Sequence, residues 1–334
     1  MQILVTGGLG YIGSHTCVEL LNEGNDVIVV DNLSNSKIEA MDRIYQITNR
    51  KIKFYKEDIL DKNALRNIFN ENSIDSVIHF AGVKAVGESV ENPLKYYENN
   101  VFGTVNLCEV MNEYNVKSIV FSSSATVYGI PDEVPIVESA DCRPMNPYGR
   151  TKRMVEEILE DLFNADKSWN IKILRYFNPI GAHSSGLIGE DPNDIPNNLM
   201  PYITQVAIGK RNELNVFGDD YDTYDGTGVR DYIHVVDLAK GHVNAVKNKL
   251  SSGYYIYNLG TGIPYSVFDV INNFKKANNL EIPFKIVERR AGDIASYYGN
   301  PKKAFDELGW KAEKNLEDMC RDSWNWQKKN PKGY

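Results

Sequence analysis

Four cysteines in 334 residues, Cys17, Cys108, Cys142 and Cys320, are too few and too scattered for a disulfide framework, and no two form a CxxC pair. They fit reduced, packed thiols and with them a cytoplasmic setting. The five histidines show no close ligand spacing, so no metal site is suggested. An excess of basic residues is also lacking. The formal net charge of -8 argues against a nucleic-acid surface, although a local anion site can exist inside an acidic protein. No apolar run is long enough to cross a bilayer, and Met1-Gln2-Ile3-Leu4-Val5-Thr6 reads as a strand rather than a secretory leader. Repeats, low-complexity tracts and flexible linkers are absent. What remains, 42% hydrophobic and 25% charged, is an ordinary globular composition, long enough for two packed lobes.

What is present is alternation. Apolar, β-rich runs at 2–6, 27–30, 52–55, 76–80, 117–122 and 171–176 read as strands, and residues 11–23, 36–48, 61–71, 93–114 and 147–163 read as helices. The strands are nearly continuous apolar runs, as in a parallel sheet covered on both faces. This alternation predicts right-handed crossovers and an α/β fold, a doubly wound parallel sheet of the Rossmann type. After about residue 178 the pattern changes. Residues 181–200 are rich in Gly, Pro, Asn and Asp and read as a long ordered loop of the kind that binds ligands. The expected division is a dinucleotide-binding domain over 1–178 and a smaller mixed α/β lobe over 179–334, some of whose segments return to the first domain. Ligands in such folds bind at the carboxyl ends of the strands, where the lobes meet.

Gly7, Gly10 and Gly13 follow the first strand and open the first helix, in Thr6-Gly7-Gly8-Leu9-Gly10-Tyr11-Ile12-Gly13. A tight turn, a pyrophosphate close to the backbone and a helix packed on a strand all call for glycine, and the helix N-terminus supplies positive potential. The spacing is GxxGxxG rather than GxGxxG, and alone it equally suits a structural turn. Its context adds weight. Asp31 follows the second strand, where a carboxylate can accept from the adenosine ribose and would repel a 2′-phosphate, favouring NAD over NADP. An isolated Asp before Asn32 could simply begin a turn. Asp58, after the third strand, is a second candidate contact, for the adenine.

Tyr148 and Lys152 form Tyr-x-x-x-Lys at the start of a helix, and a spacing of four puts both on one face. A free tyrosine, with a pKa near ~10, is a poor base at neutral pH. A nearby ammonium and a cationic nicotinamide would lower that pKa, and the pair could then take a proton from a sugar hydroxyl. A second Tyr-x-x-x-Lys, Tyr298 and Lys302, is broken by Pro301. Tyr148 is preferred because Phe121-Ser122-Ser123-Ser124-Ala125-Thr126 precedes it, bringing Ser124 to the carboxyl edge of the fifth strand. The plainer alternative is a serine-rich turn followed by a surface helix.

With these elements in place the chain resembles the extended short-chain dehydrogenases/reductases and, within them, the UDP-glucose 4-epimerase family. The resemblance runs from Met1 to Tyr334 through Thr6–Cys17, His79–Val90, Phe121–Gly129, Arg175–Asn178, Ile195–Tyr202 and Gly226–Val235. It implies NAD contacts at the three glycines and at Tyr11, Ile12, Asp31, Asn32, Asp58, Ile59, Phe80, Lys84, Asn99, Ser122 and Phe177. Ser124, Tyr148 and Lys152 match the catalytic positions, with Lys152 also holding the nicotinamide ribose. Asn178, Asn198, Phe217, Arg230, Arg290, Asp293 and Tyr297, with Lys84, Ser124 and Tyr148, match places that contact a UDP-sugar. Any one of the arginines could simply pair with an acid, and the asparagines could cap turns; the arginines also suit a diphosphate.

The implied reaction is interconversion of UDP-glucose and UDP-galactose by oxidation at C4, rotation of the 4-keto sugar and re-reduction by the same bound NADH. The bulk of Tyr297 favours glucose and galactose over their N-acetyl forms. A homodimer is expected, with helices 93–114 and 147–163 as candidate contacts. Two other functions compete. A nucleotide-sugar 4,6-dehydratase places an Asp-Glu pair beside its catalytic Ser/Thr, where this chain has Ala125-Thr126. A non-catalytic NAD-binding sensor would have no need of Ser124, Tyr148 and Lys152 together.

Overall fold

The fold is that of a computed structural model, which describes all residues except 193–195, 197, 249, 251 and 291. In its first half strands and helices alternate: β1 (Gln2–Thr6), α1 (Tyr11–Asn22), β2 (Asp26–Val30), α2 (Glu39–Thr48), β3 (Lys53–Tyr55), α3 (Lys62–Glu71) and β4 (Ser76–His79). Then come α4 (Val86–Glu91), α5 (Pro93–Tyr96), a π-helical segment (Tyr97–Phe102) and α6 (Gly103–Glu113). β5 (Ser118–Ser124), a 3₁₀ turn (Ala125–Tyr128), α7 (Pro147–Ala165) and β6 (Asn170–Tyr176) complete this half.

Alternate residues of β1 and β2 enter different cores, which explains their nearly continuous apolar character. Ile3, Val5, Val27 and Val29 join one core, whereas Leu4, Ile28 and Val30 join the core on the other face. The region expected as one helix over 93–114 is interrupted by the π segment. The widened turn coincides with buried Asn100, which bonds Val83 N–H (2.8 Å), Val83 C=O (3.0 Å) and Thr151 Oγ1 (3.0 Å).

The second half begins with β7 (Asn178–Ile180), α8 (Leu199–Ala207), β8 (Leu214–Phe217) and β9 (Val229–His234). α9 (Val235–Lys247) and β10 (Gly253–Leu259) then return to the first half. Leu238 and Val243 of α9 pack with Cys17, Val18 and Leu21 of α1, and β10 pairs in parallel with β6. The result is a seven-stranded parallel sheet in the order β10-β6-β5-β4-β1-β2-β3. The remaining elements are β11 (Pro264–Ser266), α10 (Val267–Asn278), β12 (Phe284–Val287), β13 (Ser296–Tyr297), α11 (Lys302–Leu308) and α12 (Leu316–Lys329). Ile180, Met200, Ile203, Val216, Phe274 and Met319 give this half a core of its own. No described helix is long and apolar enough to cross a membrane.

Candidate active site

The strand order reverses at β1, where one crossover leads to β2 and the other to β4, and the crevice beyond these two carboxyl ends is where such sheets bind ligands. The glycine turn lies there. Gly7 adopts a φ of 68°, and a Cβ on it would stand 2.8 Å from Ala81 N, just past β4. A Cβ on Gly13 would stand 2.2 Å from Gly7 O, so α1 can enter this close only without a side chain. Gly10 caps α1 with no side-chain hydrogen bond, which leaves first-turn N–H groups for an anion.

Asp31 is buried at the end of β2 and accepts from Leu9 N–H (3.0 Å), Leu33 N–H (2.9 Å) and Ser36 Oγ (2.7 Å). It therefore ties the glycine turn to the second strand as well as presenting a carboxylate to the crevice. Asn32 donates to Asp58 (2.8 Å), so these two predicted contacts meet. Ile59 is buried where a Cβ on Gly103 of α6 would stand 2.6 Å from its Cδ1. Phe80 packs on His242 with ring centroids 4.6 Å apart and the ring planes inclined at 50°. Tyr11 donates to Gly181 C=O (2.7 Å), joining α1 to the segment after β7, while Ile12 packs against the core under the sheet. Asn99 turns back to its own helix and donates to Lys95 C=O (2.9 Å).

Tyr148 and Lys152 lie in the first two turns of α7. Asn146 caps this helix by accepting from Gly149 N–H (2.8 Å), and Pro147 occupies a first-turn position where its missing N–H costs nothing. Tyr148 lies beside Ser124, the last residue of β5, near enough for the serine hydroxyl to act on the phenol. Ser124 Oγ also accepts from Thr126 N–H (3.2 Å) and Thr126 Oγ1 (3.0 Å). Lys152 Nζ donates to Ser122 C=O (2.7 Å), and Ser122 Oγ bonds the Tyr176 hydroxyl. The same Nζ stands 6.0 Å from the Tyr148 ring centroid and 4.8 Å from that of Phe121.

Burial raises the pKa of Tyr148, and the Ser124 hydroxyl acts the other way. The lowering expected from the sequence calls on a cationic nicotinamide as well as Lys152, and without that cofactor burial holds the phenol up. Lys152 is itself desolvated and pushed down to about 8, with the charge of Glu156 opposing the shift. The other Tyr-x-x-x-Lys is split between elements: Tyr298 follows β13, and Lys302 opens α11 and pairs with Asp306.

The remaining candidates form small groups of their own. Tyr297 is buried, donates to Ala125 C=O beside Ser124, and packs on Phe177 with ring centroids 5.8 Å apart. Arg230, the register partner of Tyr297 on β9, pairs with Asp293 at 2.9 Å and donates to Ile294 C=O at 2.7 Å. Arg290 is exposed and lies 3.9 Å over the Phe217 ring. Asn178 stands on β7 opposite Tyr232 of β9. Lys84 and Asn198 meet on one carboxylate: Glu190 Oε1 lies 3.5 Å from Lys84 Nζ and accepts from Asn198 Nδ2 at 3.1 Å.

The family model for GDP-mannose 4,6 dehydratase matches residues 4–323. The UDP-glucose 4-epimerase of Bacillus subtilis (strain 168) is 60% identical, with 100% of this chain and 99% of that protein covered. The UDP-glucose 4-epimerase of Bifidobacterium longum, solved in complex with NAD+ and UDP, is 55% identical with a TM-score of 0.97 and 100% of both chains covered. That of Stenotrophomonas maltophila, solved with NAD and formylated UDP-arabinopyranose, is 49% identical with a TM-score of 0.97, covering 99% of both chains. The chain belongs to the UDP-glucose 4-epimerase family.

Ser124 has Ala125 and Thr126 beside it, the uncharged pair expected of an epimerase rather than a dehydratase. Of the family stretch 195–202, Ile195 and Asn197 lie outside the described residues. Three side chains at this site were not evident in the sequence: Asn100, Glu190 and Glu156. Asn100 sits beside the singled-out Asn99, but only the π turn sends it inward. Glu190 falls in a polar loop, and Glu156 on a helix otherwise reads as one more solvated acid.

Proposed function

We propose that this chain is an NAD-dependent enzyme that interconverts UDP-glucose and UDP-galactose, with Tyr148 as the acid/base group. The observation that carries the reading is the convergence of α7 on the carboxyl end of β5, where Lys152 donates to Ser122 C=O and Tyr148, one turn earlier, lies beside Ser124. The residues fit the cofactor. The side-chain-free approach of Gly7 and Gly13 leaves room for a pyrophosphate at the uncapped start of α1, and Asp31 suits an unphosphorylated ribose. Bound NAD supplies hydride acceptance from the sugar C4 and hydride return to it.

The chain's own groups do the rest. Ser124 holds the C4 oxygen, Tyr148 takes its proton and later returns it, and Lys152 favours the phenolate by charge. Arg230 and Arg290 suit the diphosphate, whose anchorage lets the sugar ring turn without leaving. Arg230 must share its guanidinium with Asp293 and two carbonyls, Val229 and Ile294, which fixes its direction. Asn178, Asn198 and Phe217 supply further contacts to the UDP-sugar, and Tyr297, bonded to Ala125 C=O, limits space beside Ser124.

By this reading residues 1–178 hold NAD, and residues 179–334 mainly hold the UDP-sugar, apart from α9 and β10 in the first domain. The enzyme works in the cytoplasm, in keeping with four unpaired cysteines, three of them buried. It works as a homodimer, supported by exposed Leu94, Phe102 and Met154 on the helical regions 93–113 and 147–165.

The test is a coupled assay of UDP-galactose against UDP-glucose without added reductant. Conversion is expected with the unmodified protein. Tyr148→Phe is expected to lose about 10²-fold or more of kcat while binding NAD normally. Near-normal turnover by that variant removes Tyr148 as the base, and a 4-keto-6-deoxy product overturns the epimerase reading.

A further inference from the structure

One turn beyond Lys152 lies a carboxylate that the chemistry above does not use. Glu156 is fully buried, where an ionised carboxylate persists only when paired and hydrogen-bonded. It is supplied with four donors. Oε1 accepts from Ser123 Oγ (2.6 Å) and Arg175 Nε (2.9 Å), and Oε2 accepts from Arg175 Nη2 (2.6 Å) and Arg153 Nη1 (3.3 Å). Arg175 is also enclosed; its Nη1 donates to Glu138 C=O (3.2 Å) and its guanidinium lies 4.8 Å over the Tyr128 ring.

The placement of this pair is specific. Tyr148, Lys152 and Glu156 recur every four residues and share one face of α7. That face meets three consecutive residues of β5: Tyr148 lies beside Ser124, Lys152 bonds the carbonyl of Ser122, and Glu156 bonds Ser123. Arg175 comes from β6, where it is the register partner of Ser123. One carboxylate thus joins α7, β5 and β6 directly behind the catalytic groups.

We propose that Glu156 is a positioning residue for the reaction: its carboxylate fixes α7 against β5 and β6 and so sets the place, and with it the charge environment, of Lys152. This rests on the proposed acid/base role of Tyr148 and Lys152. The surroundings give Glu156 this charge role. Burial pushes Lys152 down to about 8, and Glu156 opposes it. From β4, His79 is held neutral by burial, at about 3. From β6, Tyr176 is pushed up by burial and stays uncharged, as does Tyr148 on the same helix. Around Glu156 itself stand Arg153, Arg175, Cys142 and Tyr254. Beyond these, Glu138 and Tyr128 lie near Arg175, and Glu160 near Tyr254. Removing the negative charge therefore lowers the Lys152 pKa further, and the ammonium is lost at a lower pH.

The experiment compares pH profiles of kcat and kcat/KM for the unmodified holoenzyme, Glu156→Gln and Ser123→Ala, with UDP-galactose as substrate. Activity of the unmodified enzyme tests the underlying reading, and only the difference between variants tests Glu156. Glu156→Gln is expected to lower kcat by roughly tenfold to a hundredfold with little change in KM. Its alkaline limb is expected to move down by about one pH unit, the effect of losing a close opposite charge. An alkaline limb at the unmodified position overturns the proposal, whatever the kcat. If Glu156→Gln does not fold, Ser123→Ala decides. A several-fold fall in kcat at unchanged KM supports positioning, and unchanged kcat overturns it.

Discussion

At the scale of single residues, the site is built from side chains that are missing as much as from those present. Gly13 is the clearest example. An alanine there would place Cβ 2.2 Å from Gly7 O and 2.8 Å from Gly8 Cα, both backbone atoms that cannot rotate away. The turn would have to open, and with it the approach of a pyrophosphate. Gly13→Ala is expected to lose most bound NAD and to cost about 1–3 kcal/mol of stability through overpacking. Cofactor content after purification and a urea unfolding curve check both. Asp31 illustrates the opposite device, a carboxylate whose three protein donors hold it in place before any ribose arrives. Tyr148 shows the limit of residue-by-residue reasoning: its spacing from Lys152 was legible, but burial raises its pKa while Lys152 spends its proton contact on Ser122.

At the scale of elements, α7 is the part on which function turns, because it carries the proposed base in its first turn. Asn146→Ala removes the bond to Gly149 N–H and is expected to cost about 1 kcal/mol, lowering kcat by roughly fivefold at most as that turn frays. Asn146→Ser is expected to restore both values, measured by urea midpoint and initial rate. This helix was readable beforehand because Asn-Pro gives a start signal and its apolar residues recur with helical period. Most of the first six strands were readable for a related reason: a strand enclosed on both faces, such as β1 or β2, is a nearly continuous apolar run. β10 was not placed because its sequence, Gly-Tyr-Tyr-Ile-Tyr-Asn-Leu, carries no record of which distant strand it joins. The π segment was read as ordinary helix, since apolar spacing hardly distinguishes a single widened turn. Polar clusters were least legible. The Glu156–Arg175 pair and the meeting of Lys84, Glu190 and Asn198 depend on residues brought together across long stretches of chain.

At the scale of the whole molecule, the question is why an otherwise well-packed chain leaves large apolar groups in water. Val90 is 64% exposed, Leu94 80% and Phe102 57%, all within α4, α5 and the π segment, which pack against α7. Met154, on α7 itself, is 42% exposed. Scattered exposed hydrophobic residues are ordinary, but a group on adjoining helices is the usual mark of a protein contact. A second copy of the chain is the simplest partner, since a two-fold contact lets one surface cover its equivalent. The same helices carry Tyr148 and Lys152 and, through Asn100, brace Val83 and Thr151, so their mutual packing bears on the site. Leu94→Glu with Phe102→Glu places charges at such a contact without touching a core residue. The unmodified chain is expected to sediment as a dimer and the double variant as a monomer that retains its fold by circular dichroism. An unchanged sedimentation coefficient would rule out this surface as the contact.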